Sequence, residues 1–295
     1  MKRWWQESLS ESIGLPAGYT KVSVLIIKWE EQLDQLQVDA EVQALREVFE
    51  VDFAYETRVL ALGPKNPQMQ LLNGVTGFIV EKDGRNNLMI IYYAGHGVFH
   101  KNQQTLGLIA NKVFWNEAEK FLVRDAASDV LSIMDCCYSS NLVRSSGTTN
   151  RAFEMLSASG MDRVTEEPGE TSFTTALVKS LRKLVLYFSG CSFSTRDLVE
   201  DIQKQRVTNP PALWRRITGS NRHIQLHPFG SQKSLDQPPV PRNHCGLLTL
   251  RFELLQNELS REHIQELATL LPKTFDYCKL PLRHIQWLDF TSNQP

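Results

Sequence analysis

Two apolar runs in this chain stop at reactive side chains, and that pairing constrains the fold more than any other feature. Residues 88–94 (Leu-Met-Ile-Ile-Tyr-Tyr-Ala) run into Gly95-His96-Gly97, and residues 130–134 (Val-Leu-Ser-Ile-Met) run into Asp135-Cys136-Cys137. Each run has the length and aliphatic content of a strand buried on both faces, as in parallel sheets. Open α/β sheets place their sites at the carboxyl ends of such strands. If the two strands are neighbours, an imidazole and a thiol emerge on one edge of the sheet, the minimum kit for a cysteine nucleophile activated by a base.

The rest of the chain supplies the crossovers that a parallel sheet needs. Residues 22–29 predict a strand, 41–49 a helix with its apolar stripe at Val42, Leu45, Val48 and Phe49, and 53–62 a second strand closed by Gly63-Pro64. A helix over 68–80, a short strand at 106–110 and a helix over 115–123 follow. Beyond Cys137 the chain turns polar, and residues 139–150 are a candidate lid or substrate wall or, equally, an ordinary surface loop. Residues 153–159 predict another buried strand. Ser172 and Ser194 then stand as N-caps of helices over 173–186 and 195–205, and 223–227 predicts a last short strand. The fold class expected is α/β, a mostly parallel sheet with helices on both faces and a short C-terminal α+β appendage.

Four regions follow from composition: a leader over 1–20, a catalytic-looking domain over 21–229, a Pro-rich linker over 230–241, and an appendage over 242–295. The appendage divides into an alternating run (247–254), a helix (260–271) and a third segment (283–290). Too short for a sizeable core of its own, it is expected to dock on the sheet domain or on a partner, and so is a candidate surface for a regulatory partner protein. The leader holds Trp4-Trp5, a docking surface if exposed and a packed pair otherwise.

Composition excludes several function classes. With 32 basic against 33 acidic residues and a net charge of −1, the chain offers no electrostatic footprint for nucleic acid or for an anionic membrane. Its apolar runs are strand-sized, short of the ~20 residues that cross a bilayer. The N-terminus has no apolar core of signal-peptide length. Five cysteines without a CxxC pair argue against a zinc knuckle and for a reducing, cytoplasmic home. The remaining histidines show no metal-ligand pattern, so no metal residue is assigned.

The chemistry expected is acyl transfer. His96 would favour the thiolate of a neighbouring Cys and later protonate the leaving amine. Gly95 permits a sharp turn and Gly97 a close approach. The backbone amides of Gly97 and Cys137 are the natural donors to a developing oxyanion.

The segments Tyr92-Tyr93-Ala94-Gly95-His96-Gly97 and Asp135-Cys136-Cys137-Tyr138-Ser139 resemble the His and Cys motifs of caspase-like peptidases, specifically the metacaspase-type branch. The order, His first and Cys 41 residues later, fits that resemblance. Met155-Leu-Ser-Ala-Ser-Gly160, Ser172-Phe-Thr-Thr-Ala176 and Phe193-Ser-Thr-Arg-Asp-Leu198 extend it, so that it covers roughly residues 20–228. It implies that His96 and Cys137 form the catalytic dyad, since an Asp stands two places before the nucleophile and Asp135 singles out Cys137 over Cys136. It implies further that Asp135 lines the S1 pocket and favours Arg or Lys at P1 of a protein or peptide substrate. The acidic stretch Glu30, Glu31 and Asp34 is the expected source of a further carboxylate. Many metacaspases need Ca²⁺; the resemblance leaves Ca²⁺ an open cofactor and locates no cluster for it here.

Two departures bear on substrate preference: Tyr138-Ser139-Ser140 stands where the family usually has His-Ser-Gly, and Ala94 where a Ser often precedes Gly-His-Gly. Arg144 and Arg151 are the nearest candidates for a self-processing site. The alternative to a peptidase is a catalytically weak or inactive scaffold in a signalling assembly, against which the intact Cys and His argue. Cys136, adjacent to the nucleophile, is expected to point into the sheet as packing.

Overall fold

A computed structural model describes residues 4–5, 8, 19–100, 105–108, 113–137, 151–160, 167–188, 192–217, 222–229, 248–250, 252–254, 256, 258–278, 285, 287 and 289–290. The chain divides into two compact units, one of residues 19–239 and one joining 1–18 to 240–295.

The larger unit is built on a six-stranded sheet. Its strands are β1 (Lys21–Trp29), β2 (Glu56–Leu62), β3 (Asn87–Ala94), β7 (Asp129–Asp135), β8 (Phe153–Ser157) and β10 (Ala212–Arg215), ordered β10-β8-β7-β3-β1-β2. All pairings are parallel except β8 with β10. This is the mostly parallel α/β sheet that the alternation of strand and helix predicts. In β3 and β7 every residue from Leu88 to Ala94 and from Asp129 to Met134 is buried, as strands covered on both faces must be.

The helices segregate by face. On one side α1 (Asp39–Glu47), α4 (Phe173–Tyr187) and α5 (Thr195–Gln205) pack with Val24, Ile26, Leu88, Ile90, Tyr92, Leu131 and Ile133. On the other, α2 (Pro67–Lys82) and α3 (Trp115–Arg124) pack with Leu25, Ile27, Met89, Ile91, Tyr93, Val130 and Met134. The alternation of side chains along a strand assigns these two sets. It also sends Asp135 to the α4 side, whereas Cys136 is fully buried in the α2–α3 core, as expected of packing.

The Ser172 and Ser194 caps form as predicted: each hydroxyl accepts from the backbone N–H three residues on, and Ser194 completes a capping box with Asp197. Two departures stand out. The strand expected from residue 53 begins only at Glu56, because Ala54 sits at φ 55°, outside extended backbone. Gly97–His100 (β4), Thr105–Leu108 (β5) and Val113–Phe114 (β6) form a separate antiparallel sheet, of which only β5, the short strand expected at 106–110, is anticipated. The short strand expected at 223–227 forms as Gln225–Leu226 (β11), paired antiparallel with Phe193–Ser194 (β9).

In the smaller unit, α6 (Arg261–Tyr277) occupies the expected helical segment. The described positions of the alternating run 247–254 carry no strand, and Leu248, Leu250 and Phe252 are exposed. Trp5 is buried with Ile264 and Ala268 of α6, its ring 5.4 Å from that of Trp287, while Trp4 remains exposed.

Candidate active site

Because β3 and β7 are adjacent and parallel, with Ala94 opposite Asp135, the segments that follow them leave the sheet side by side. The Gly95 amide donates to the Asp135 carbonyl at 3.2 Å, extending the ladder by one bond before the chains diverge. Gly95 then takes φ 151°, and a side chain there would meet the Tyr93 hydroxyl at 2.5 Å. The same hydroxyl donates to the His96 carbonyl at 2.9 Å and accepts from Trp29 Nε1 at 3.1 Å. A buried Tyr–Trp pair therefore fixes the turn that carries the imidazole.

Gly97 is pressed against the cysteine segment. A Cβ on Gly97 would lie 2.6 Å from the Cys137 carbonyl oxygen and 2.9 Å from both Cβ and Sγ of Cys136. The His96 turn and the Cys136–Cys137 turn are thus in backbone contact, which no side chain at position 97 would permit. His96 and Cys137 are both half-buried, and no disulfide involves Cys136 or Cys137. The four residues singled out from sequence, His96, Gly97, Asp135 and Cys137, come together at one sheet edge.

Beside them lies a small pocket whose wall includes Ala94, Gly95 and Asp135, with Val38 and Glu41 from the α1 end and Pro168. Thr174 of α4 donates to Asp135 Oδ2 at 2.5 Å. Glu41 Oε1 accepts from the Gly169 amide at 2.9 Å, the Ser172 hydroxyl at 2.5 Å and the Thr175 hydroxyl at 3.3 Å. The second carboxylate of the pocket is therefore Glu41 rather than a member of the Glu30–Glu31–Asp34 stretch. Asp34 instead caps the Leu36 and Val38 amides at 3.2 and 2.8 Å, and Glu30 lies over Gly63. Sequence reasoning missed Glu41 because nothing local separates it from an ordinary charge in a helix's first turn.

Ala94, one of the two departures from the family motif, lines the pocket. Tyr138, the rest of 138–150 and Arg144 fall outside the described residues. Arg151 is corrected as a processing candidate: it is buried, and its guanidinium donates to the Leu122 and Val123 carbonyls at 2.6 and 2.8 Å. Among the described residues no cluster of His, Cys, Asp and Glu could hold a metal ion, and no helix is long and apolar enough to cross a membrane.

No protein-family model matches the chain, and no characterised protein is detectably similar in sequence. Solved structures do match. A Geobacter sulfurreducens protein aligns with a TM-score of 0.54 at 13% identity, covering 71% of this chain and 98% of its own. The Drosophila initiator caspase Dronc aligns at 0.50 and 10% identity, covering 72% and 85%. Caspase-1 of Spodoptera frugiperda aligns at 0.49 and 13%, covering 68% and 89%. At such identities the likeness concerns architecture alone: the larger unit has a caspase-like α/β fold.

Proposed function

We propose that this protein is a cysteine endopeptidase of the metacaspase type that cleaves after Arg or Lys. The observation that carries the reading is the close packing of Gly97 against the Cys136 side chain and the Cys137 carbonyl beside an acidic pocket, which supports an imidazole and a thiol acting together on neighbouring strand ends. Cys137 Sγ attacks the scissile carbonyl carbon as its proton passes to His96. The amides of Gly97 and Cys137 stabilise the tetrahedral oxyanion. Collapse breaks the C–N bond, His96 returns the proton to the leaving amine, and water, deprotonated by His96, hydrolyses the acyl-enzyme. Asp135 and Glu41 present negative charge to a basic P1 side chain, for which a charge-assisted pair is the strongest recognition available. A nucleophilic thiol of this kind belongs in a reducing compartment, and we place the enzyme in the cytoplasm.

Fluorogenic peptides with Arg, Lys or Asp at P1, assayed with and without Ca²⁺ against wild type and Cys137→Ala, test this. Turnover after Arg and Lys that vanishes in the variant is expected. Turnover after Asp would overturn the role of the pocket carboxylates. Silence on all three, with Cys137 inert to thiol-directed probes, would leave a scaffold in place of an enzyme.

A further inference from the structure

Both pocket carboxylates are held by the first turn of a single helix. Ser172 and Thr175 grip Glu41, and between them Thr174 grips Asp135. Thr174 is itself fully buried, and its hydroxyl lies 2.5 Å from that of Tyr92, on the same face of β3 near its carboxyl end. An ionised Asp135 can only accept, so the one proton of Thr174 goes to Oδ2 and the Tyr92 hydroxyl must donate to Thr174 Oγ1. Burial, and next the charge of Asp135, push the Tyr92 phenol well above its ordinary range, so it remains a donor throughout the working pH range. The result is a one-way relay, Tyr92 O–H to Thr174 O–H to Asp135 carboxylate, running from the sheet core to the pocket wall. Each link is charge-assisted or polarised by the next, which strengthens it.

On the proposed peptidase reading, we infer that Thr174 is a positioning residue for substrate recognition: it sets the orientation of the Asp135 carboxylate that receives the basic P1 side chain. Its hydroxyl bonds to Asp135 and Tyr92, so its loss should weaken recognition and leave the nucleophile intact. Valine matches threonine in shape but lacks the hydroxyl. Serine restores it.

The experiment uses two reagents on the full chain. A peptidyl-arginine chloromethyl ketone alkylates Cys137 only after its arginine is seated, whereas iodoacetamide alkylates the thiol directly. In Thr174→Val the arginyl reagent's second-order rate should fall by about 10- to 100-fold, the scale expected when a binding group is misplaced. The iodoacetamide rate should stay within about 2-fold, and Thr174→Ser should recover most of the arginyl rate. In turnover of an Arg peptide the defect should appear chiefly in KM, as loss of uniform binding does. An unchanged arginyl rate in Thr174→Val overturns the inference. So does an equal fall with iodoacetamide, which would mean a disturbed nucleophile, and so does a Ser variant as poor as Val. Wild type that ignores the arginyl reagent while reacting with iodoacetamide defeats the underlying reading instead, a result visible before any variant is made.

Discussion

At the amino end of the β3–β7 pair, polar groups are bound to one another; at the carboxyl end, one strand length away, they also face a pocket. Asp129 opens β7 and accepts from the Tyr19 hydroxyl and the Ala152 amide, each at 2.7 Å, and from Arg222 at 2.6 Å. Asp83, just before β3, accepts from the Ala127 and Ser128 amides and the Ser128 hydroxyl at 2.9, 2.8 and 2.7 Å. At the other end the chain offers glycines, a half-buried imidazole, a half-buried thiol and two acids on a pocket wall. The same strand pair is closed at one end and left chemically available at the other. The first arrangement sets register, and the second can afford to hold groups that do little for stability.

The sharpest way to break this contrast is to exchange effects between the ends. His96→Ala should reduce kcat/KM on an Arg peptide by about 10⁴-fold, equivalent to about 5 kcal/mol of barrier. Its unfolding midpoint should stay near that of wild type, within the ±0.5 kcal/mol usual for a substitution away from packing and networks. Urea titration beside the kinetics checks both halves, and a large loss of stability would remove the distinction. Asp129→Ala is the mirror case. It strands Arg222, whose guanidinium is largely buried, and should cost about 3–5 kcal/mol of stability, the range for breaking a buried ion pair. In the fraction that remains folded, modification of Cys137 by iodoacetamide should proceed at the wild-type rate.

How far the sequence announced each end follows from the same difference. The carboxyl end was legible because its signals are local: an apolar run, then Gly-His-Gly, then a second run and Asp-Cys-Cys. The Ser172 and Ser194 caps were legible for the same reason, since a cap is decided within four residues. What was not legible depends on chain segments far apart. Glu41 meets Ser172 across 131 positions, and Asp129 meets Arg222 across 93. No pattern in either neighbourhood records the partner. In the three-stranded sheet after His96 only β5 was legible, because β4 and β6 are four residues or fewer, and β2 began late because one residue, Ala54, leaves extended backbone.

Gly97→Ala sharpens the comparison from within the carboxyl end, at a position whose role is close approach and not polar saturation. The added methyl must displace backbone, since its nearest neighbour would be the Cys137 carbonyl oxygen at 2.6 Å, not the flexible tip of a side chain. Such overpacking costs about 1–3 kcal/mol. The displacement also moves the amide assigned to the oxyanion, so kcat should fall by at least about 10-fold with little change in KM. Full activity in this variant would mean that the two turns need not touch, and the contact would lose its claim as the organising feature of the site.

The smallest effect belongs to Asp83, and it asks whether the amino end is closed by charge or by hydrogen bonds alone. Burial raises the Asp83 pKa, but the bonds donated by Ala127, Ser128 and Gly84 outweigh it, leaving the carboxyl below its ordinary value. A carboxylate with a lowered folded pKa stabilises above its unfolded value, near 3.9, and that contribution disappears as the pH falls through the folded one. Asp83→Asn keeps the shape and removes the charge. It should cost about 1 kcal/mol at neutral pH, a charged hydrogen bond discounted for the solvent that still reaches the group. The gap from wild type should close as the pH falls past the unfolded value and through the lowered folded one, when the wild-type carboxyl takes up its proton. Other acids titrate over the same range, but they do so in both proteins, so the difference between the two unfolding curves isolates this one. A gap that persisted in acid would make Asp83 a neutral acceptor. The two ends of the strand pair would then differ in how completely their hydrogen bonds are made, not in where their charges are held.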